Sequence, residues 1–168
     1  MDLISPPSVD YRAACPTLGI RVIVPFRGML AVRDQLWSEL FAWLDARGIV
    51  DVGSAFLRLN VIDMQGMMDM EAGVMTSSTI EADDRVRPGE MPAGLYATLT
   101  YRDHSMRANK MLLGWVAENN IRLAKGESDA GDVFDCRYEL VTSDIRTERR
   151  KTKWVVQLNM LVDGPPPI

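Results

Sequence analysis

The same order of predicted elements occurs twice along the chain: a strand, a helix and two further strands. The first set runs from the strand GIRVIVPF through a helix at 30–47 to the strands AFLRLNVID and MMDMEAGVMTS. The second runs from MPAGLYATLTYRD through a helix at about 105–119 to FDCRYELVT and WVVQLNMLV. Since neither half could bury a sufficient core alone, we expect the halves to share one sheet or barrel-like core and to leave a groove between them.

This repetition predicts an α+β fold. Two pseudo-symmetric strand–helix–strand–strand modules would form an antiparallel sheet with two main helices and a central groove. We place repeat one at about 18–76 and repeat two at about 91–162, within one domain over 18–162. Residues 1–17 are predicted to be a loosely structured lead-in, and 163–168 a C-terminal tail. The polar segment 77–90 is predicted to be a linker with at most one irregular strand, and 125–132 a loop.

Composition argues against several classes of protein. The 168 residues have a formal net charge of −4 and a pI near 5.0, which argues against direct binding of nucleic acid. No apolar run is long enough to span a membrane, and no secretion leader is evident. Cys15 and Cys136 lack CxxC spacing and are typical of reduced thiols in a cytoplasmic protein. The single histidine, His104, excludes a histidine-rich metal site, and we expect neither metal nor cofactor.

The functional prediction depends on Glu139. In the stretch CRYELVTSD, Glu139 lies on the same side of the predicted strand as Arg137 and Val141. A glutamate in mid-strand usually faces water, so an exposed charge is one interpretation. The other is a carboxylate inside a pocket, because two further strands have a nearly uncharged second face, which includes Tyr96 in one strand and Gln157 in the other. Such faces resemble the lining of a ligand pocket.

Aromatic residues complete the predicted site. Trp37 lies off the main apolar stripe of its helix and is the best candidate for an aromatic side chain that faces the groove. Trp43, Trp115 and Trp154 lie on core stripes, where packing is the commoner role. His104 is expected at the start of the second helix and not in catalysis. The predicted ligand-binding residues are Glu139, Tyr96, Trp37, Tyr101, Phe56 and Trp115.

Several stretches resemble one family. MPAGLYATLTYRD resembles the "lPaG-x-Ya" strand of GyrI-like, or AraC-type effector-binding, domains, which also form the ligand-sensing part of multidrug-responsive transcription regulators. ELVTSD resembles the family's "E-x-Y-x-x-D-P" segment, DMEAGVMT its "D-x-E-x-G-x-P-V" strand, and LWSELFAWLDARGI its first helix. The resemblance spans about 18–162. It implies two modules around a groove for lipophilic aromatic, in part cationic, ligands, with Glu139 as the pocket glutamate. Val141 departs from the family, which has tyrosine there.

Three functions remain as alternatives. The first is a stand-alone binding module with a buried carboxylate as anchor, which could act with a separate protein partner because no helix-turn-helix fits before residue 18. The second, implied by the resemblance, is a hydrolase that adds water to cyclopropane-bearing aromatic compounds. Glu139 would be its base and Tyr96 its proton donor, favoured over Tyr101 because Tyr101 falls on the core side of its strand. The third is a protein-interaction module that inhibits another enzyme. The sequence does not determine the oligomeric state.

Overall fold

The computed structural model describes residues 1–164, and within them the chain forms two α-helices and ten β-strands. Residues 165–168 of the predicted C-terminal tail lie outside the described residues. The helices are α1 (Met29–Ala46) and α2 (Ser105–Glu118). The strands are β1 (Asp2–Arg12), β2 (Cys15–Pro25), β3 (Ala55–Ile62), β4 (Met67–Met75), β5 (Arg87–Met91), β6 (Gly94–Arg102), β7 (Lys125–Ser128), β8 (Gly131–Phe134), β9 (Arg137–Val141) and β10 (Val155–Leu161).

The strands form one antiparallel sheet in the order β1-β6-β10-β9-β3-β4-β2-β5, and the β7–β8 hairpin extends from β3. The two predicted halves meet at the centre, where β9 pairs with β3. One half contributes β2, β4 and β3, and the other contributes β6, β10 and β9. The α+β fold and the order of its elements are therefore confirmed. The internal duplication and the domain boundaries stay predictions.

Helix α1 follows the apolar spacing of its sequence. Leu36, Leu40 and Leu44 recur at intervals of four residues and are at most 3% exposed. The helix begins after Gly28 and is followed by Gly48, with φ angles of 87° and 66°. Glycine adopts this left-handed conformation without steric cost, so both ends of the helix are determined locally.

Helix α2 packs on the other half of the sheet. Ala108, Leu112 and Val116 are its buried residues, in a cluster with residues of β6 and β10. His104 immediately precedes the helix with a φ angle of 64°, as the sequence predicted for its position. Neither helix of the described chain combines the length and the apolar composition needed to cross a membrane.

Two segments that the sequence predicted to be irregular are strands. The lead-in 1–17 contains β1, which pairs with β6 at the edge of the sheet and shifts its register around Pro6 and Pro7. The predicted loop 125–132 contains most of the β7–β8 hairpin, with a turn at Asp129 and Ala130. Proline, glycine and aspartate are all depleted in strands. Pairing with a neighbouring strand outweighs that propensity in both segments, so these two predictions were wrong.

The register of the strands assigns each side chain to a face of the sheet, because direct partners in antiparallel strands point the same way. Leu57, Glu139, Leu158 and Leu99 are successive partners across β3, β9, β10 and β6. These residues define the helix face, which α1 and α2 cover. The opposite face has its own buried cluster, formed by Phe56, Met91, Tyr96, Cys136 and Tyr138.

Candidate functional site

A small cavity of about 40 Å³ lies on the helix face, where the starts of both helices meet the centre of the sheet. Helix α1 contributes three residues to its wall, α2 contributes one, and the remainder come from the strands and from the residue that precedes β10. The lining residues are Leu30, Arg33, Trp37, Ser105, Leu57, Tyr101, Glu139, Val141, Trp154 and Val156. The cavity therefore lies at the junction of the two halves, where the sequence predicted a groove.

Glu139 enters the cavity from β9, and the helices above the sheet partly bury it. Burial raises the pKa of the Glu139 carboxyl above its usual range, while the charges of Arg33 and Arg137 and the amide of Asn109 act in the opposite direction. Within residues 1–164, no Lys or Arg side chain forms an ion pair with Glu139. The carboxyl can therefore take up a proton, accept a hydrogen bond from a molecule in the cavity, or form an ion pair with a cationic one.

Arg33 occupies the aromatic end of the cavity. Its guanidinium carbon Cζ lies 4.8 Å from the centre of the Trp37 ring and 5.5 Å from that of Trp154. Both distances are within the range of cation–π attraction. The Arg33 side chain is 12% exposed and donates hydrogen bonds from Nε and Nη2 to Oδ1 of Asp34, at 3.0 and 2.8 Å. This part of the cavity thus contains a cation supplied by the protein itself.

The indole ring of Trp37 is fixed by the sheet below it. Its Nε1 donates to the backbone carbonyls of Phe56 and Gly73, each at 3.2 Å, and the side chain is buried. Trp154 meets this ring edge to face, with 6.0 Å between the ring centres. The two rings form a rigid aromatic wall, which suits a flat or cationic ligand.

Tyr101 lies on the same face as Glu139 because it pairs with Val156 of β10. Burial raises the pKa of the Tyr101 hydroxyl well above its usual range, and the negative charge of Glu139 raises it further. Tyr101 therefore stays protonated at neutral pH and can donate a hydrogen bond to a molecule in the cavity.

The structure brings together three of the six predicted ligand-binding residues: Glu139, Trp37 and Tyr101 all line the cavity. Tyr96 and Phe56 lie on the opposite face, where the Tyr96 hydroxyl donates to the Pro92 carbonyl at 2.7 Å. Tyr96 and Glu139 therefore lie on opposite faces of the sheet, and Tyr101 is the predicted tyrosine that shares the cavity with Glu139.

Trp115, the sixth predicted residue, packs beside the buried cluster under α2 and does not line the cavity.

The uncharged strand faces that suggested a pocket also lie away from Glu139. Gln157 pairs with Leu140 and with Thr100, so these residues share the face opposite to the helices. Glu139 instead shares its face with Leu158, which belongs to the buried apolar cluster under α2. Alternation along a strand separates two faces, but it does not show which face a neighbouring strand shares.

Arg33 and Trp154 are cavity residues that sequence reasoning missed. A signal for Arg33 was present, because it precedes Trp37 by four residues and side chains at that spacing lie on the same side of a helix. Trp154 was assigned to the core, and it is indeed buried, but it also lines the cavity. Val141, where the family resemblance led us to expect tyrosine, is part of the wall as well.

An open basin of about 650 Å³ lies on the opposite face, over β2, β3 and β4. Arg21 and Asp69 form two hydrogen bonds of 2.8 Å there. Glu71 lies between its strand partners Arg21 and Arg58, and burial raises the pKa of its carboxyl. Alternating charges across strands are typical of a solvated sheet face. Glu71 is therefore a useful comparison for Glu139: a half-buried carboxylate outside the cavity.

Comparison with known proteins identifies a family. The model of the family described as GyrI-like small molecule binding domain matches residues 5–130. The match ends before β9, so Glu139 lies outside the matched range. No curated protein matches the chain in sequence.

Solved structures with similar folds include three that are described by a protein name or an activity. The EcmrR chain of a cryo-EM EcmrR–DNA complex has a TM-score of 0.66 at 14% identity, over 95% of this chain and 57% of that chain. SAV2435 bound to tetraphenylphosphonium has a TM-score of 0.57 at 12% identity, over 94% of each chain. A hydrolase from Listeria innocua has a TM-score of 0.60 at 10% identity, over 95% of this chain and 92% of that one. This chain thus spans little more than half of the EcmrR chain, and at these identities the likeness is one of fold.

Proposed function

The chain belongs to the GyrI-like small molecule binding domain family, and we propose that it binds lipophilic aromatic compounds, including cationic ones, in the cavity beneath α1 and α2. The observation that supports this proposal most is the position of Glu139. It is a partly buried carboxylate in a cavity at the junction of the two halves, and the wall of that cavity includes two indole rings. Apolar and aromatic walls with a few polar groups are typical of small-molecule sites.

The chemistry of the cavity favours an aromatic ligand with a positive or polarised group. The faces of Trp37 and Trp154 attract a cation by about 0.5–2 kcal/mol per contact. A cation beside Glu139 would also offset the cost of burying its carboxylate and return its pKa toward the usual range. SAV2435, which has a similar fold, is described with bound tetraphenylphosphonium, a lipophilic aromatic cation. That ligand supports the proposed ligand class.

A ligand of this size requires the cavity to open. Sites for drug-sized molecules measure roughly 300–1,000 Å³, whereas this cavity measures about 40 Å³. Leu30, in the first turn of α1, lines the cavity and is 46% exposed. The start of α1 is therefore the part of the wall closest to solvent. We propose that ligands enter there, with movement of the side chains that now fill the space.

A titration with tetraphenylphosphonium tests the proposal. Binding is followed by the fluorescence of the tryptophans, two of which line the cavity. Glu139→Gln removes the charge at nearly constant size, and we expect it to weaken binding about tenfold or more, equivalent to ~1.4 kcal/mol. Glu71→Gln, the matched change on the opposite face, should leave the affinity unchanged. Equal affinities for the wild type and Glu139→Gln would show that the carboxylate is not the anchor.

A hydrolase is the second candidate, because one cavity contains both a proton acceptor and a proton donor. Glu139 would take a proton from water as the water oxygen bonds to a carbon of a strained ring conjugated to a carbonyl. The ring C–C bond would break, its electron pair would move to the carbonyl oxygen, and Tyr101 would protonate that oxygen to give an enol. Return of the proton from Glu139 to the Tyr101 phenolate through water would restore both groups for the next turnover. The raised pKa of Glu139 makes it a stronger base than an exposed carboxylate. The similar fold of a hydrolase from Listeria innocua is consistent with this candidate.

Mass spectrometry separates the two candidates. The protein is incubated with a cyclopropane-bearing aromatic electrophile, and the amount of hydrated product is compared with the amount of protein, mole for mole. Turnover beyond one equivalent, lost in Glu139→Ala, would establish the hydrolase. Binding of the compound without hydrated product would leave the chain as a binding module.

A further inference from the structure

Arg33 already occupies the position in which the cavity would place a ligand cation. Its guanidinium lies over the rings of both Trp37 and Trp154, and the field of its charge lowers the pKa of Glu139. A cation within about 6 Å of aromatic rings is an arrangement by which proteins recognise cationic ligands. Here the cation belongs to the protein itself.

The contacts that retain Arg33 can be exchanged. Its side-chain hydrogen bonds go to Asp34, the next residue in the chain, which does not line the cavity. Asp34 also forms an ion pair with Lys151, so its carboxylate keeps a partner if Arg33 leaves. Arg33 has a long side chain with several rotatable bonds, and a rotation toward solvent needs no change in the backbone of α1.

We propose that Arg33 is an internal competitor for cationic ligands and determines the charge preference of the cavity. A cation binds only after Arg33 leaves its position over the rings of Trp37 and Trp154. An anionic aromatic ligand keeps Arg33 in place as a partner. The wild-type protein therefore binds aromatic cations more weakly than its tryptophans and carboxylate would allow. This inference rests on the binding function proposed for the cavity.

Two ions of the same shape and opposite charge test the inference: tetraphenylphosphonium and tetraphenylborate. Arg33→Met removes the charge and keeps a long, flexible side chain. We expect it to strengthen tetraphenylphosphonium binding about tenfold or more and to weaken tetraphenylborate binding. Arg33→Lys retains the charge and should keep the wild-type order of affinities. It also serves as the second variant if Arg33→Met does not fold.

Arg47→Met is the matched control. The Arg47 guanidinium lies 3.8 Å from the centre of the Trp43 ring, in the same kind of contact but outside the cavity. This variant should bind both ions as the wild type does.

Three results would overturn the inference. Unchanged tetraphenylphosphonium affinity in Arg33→Met would show that Arg33 does not compete. Equal gains for both ions would show that Arg33 only fills space and does not set the charge preference. If none of the proteins, wild type included, binds either ion, the proposed binding function fails and the inference fails with it.

Discussion

Tyr101 of β6 and Glu139 of β9 line the same cavity, although β10 lies between their strands. Tyr101 pairs with Val156, and Glu139 pairs with Leu158. Positions two apart on a strand point to the same face, so both side chains lie under the helices. Burial raises the pKa of both groups, and each is therefore more protonated than an exposed counterpart. The pair provides a polar end to a cavity whose other walls are mostly apolar or aromatic.

The first prediction separates Tyr101 from Tyr96. Tyr101→Phe removes a donor from the cavity wall, and we expect it to weaken binding of ligands that contain a carbonyl by about 1 kcal/mol. Tyr96→Phe removes the hydrogen bond to the Pro92 carbonyl on the opposite face. It should reduce the free energy of unfolding by about 1 kcal/mol and leave ligand affinity unchanged. Titrations and urea unfolding of both variants check these results. Loss of binding in Tyr96→Phe alone would contradict the assignment of faces.

The second prediction concerns pH and stability. Glu139 faces Arg33 of α1, Arg137 of its own strand, Asn109 of α2 and Tyr101 of β6. Burial outweighs the opposing contributions of these neighbours, so the pKa of Glu139 in the folded state lies above its ordinary value of 4.5. The folded state therefore binds the proton more tightly, and the wild type loses stability as the pH rises from about 4 through the folded pKa.

Glu139→Gln has no such titration. At pH 8 it should exceed the wild type in free energy of unfolding by roughly 0.5–2 kcal/mol, and at pH 4 the difference should disappear. Urea unfolding of the wild type and of Glu139→Gln at pH 8 and at pH 4 measures the two differences in free energy of unfolding. A wild type more stable than Glu139→Gln at pH 8 would mean that Glu139 gains more from its neighbours than it loses by burial.

The third prediction concerns Trp37, whose Nε1 donates to the carbonyls of Phe56 and Gly73. Trp37→Phe removes this buried donor and should lower the free energy of unfolding by about 1–3 kcal/mol. Trp43→Phe is the matched control, because Trp43 donates at the surface, to Asp83. Trp43→Phe should lower the free energy of unfolding by less than Trp37→Phe does. The two variants are compared by urea unfolding, and equal losses would show that the buried contacts of Trp37 contribute no more to stability than the surface contact of Trp43.

The sequence predicted the main elements because their local signals are strong. In α1, apolar residues at helical spacing lie between two glycines that mark its ends, and the structure follows both signals. Strand β1 and the β7–β8 hairpin have no comparable signal. Pro6 and Pro7 argue against a strand, and β1 exists because β6 offers it a partner. Pairing between distant segments is what local propensity cannot predict.

Only part of the candidate site could be predicted, because its assembly also depends on pairing between distant strands. Trp37 was chosen from its position on the helix and Glu139 chiefly from the family resemblance, and the two residues line one cavity. The choice of Tyr96 over Tyr101 depended on which face each strand presents, and that is decided by the register of β10 against β6 and β9. A shift of one residue in that register would exchange the faces. Alternation within a single strand does not contain this information.

The most direct test of the central claim is the position of a bound ligand. Crystals grown with (4-bromophenyl)triphenylphosphonium would locate the bromine by its anomalous signal. We expect the ligand on the helix face between Trp37, Trp154 and Glu139, with the Arg33 side chain moved toward solvent. A ligand in the charged basin on the opposite face, with the cavity and Arg33 unchanged, would contradict the claim that Glu139 anchors the ligand.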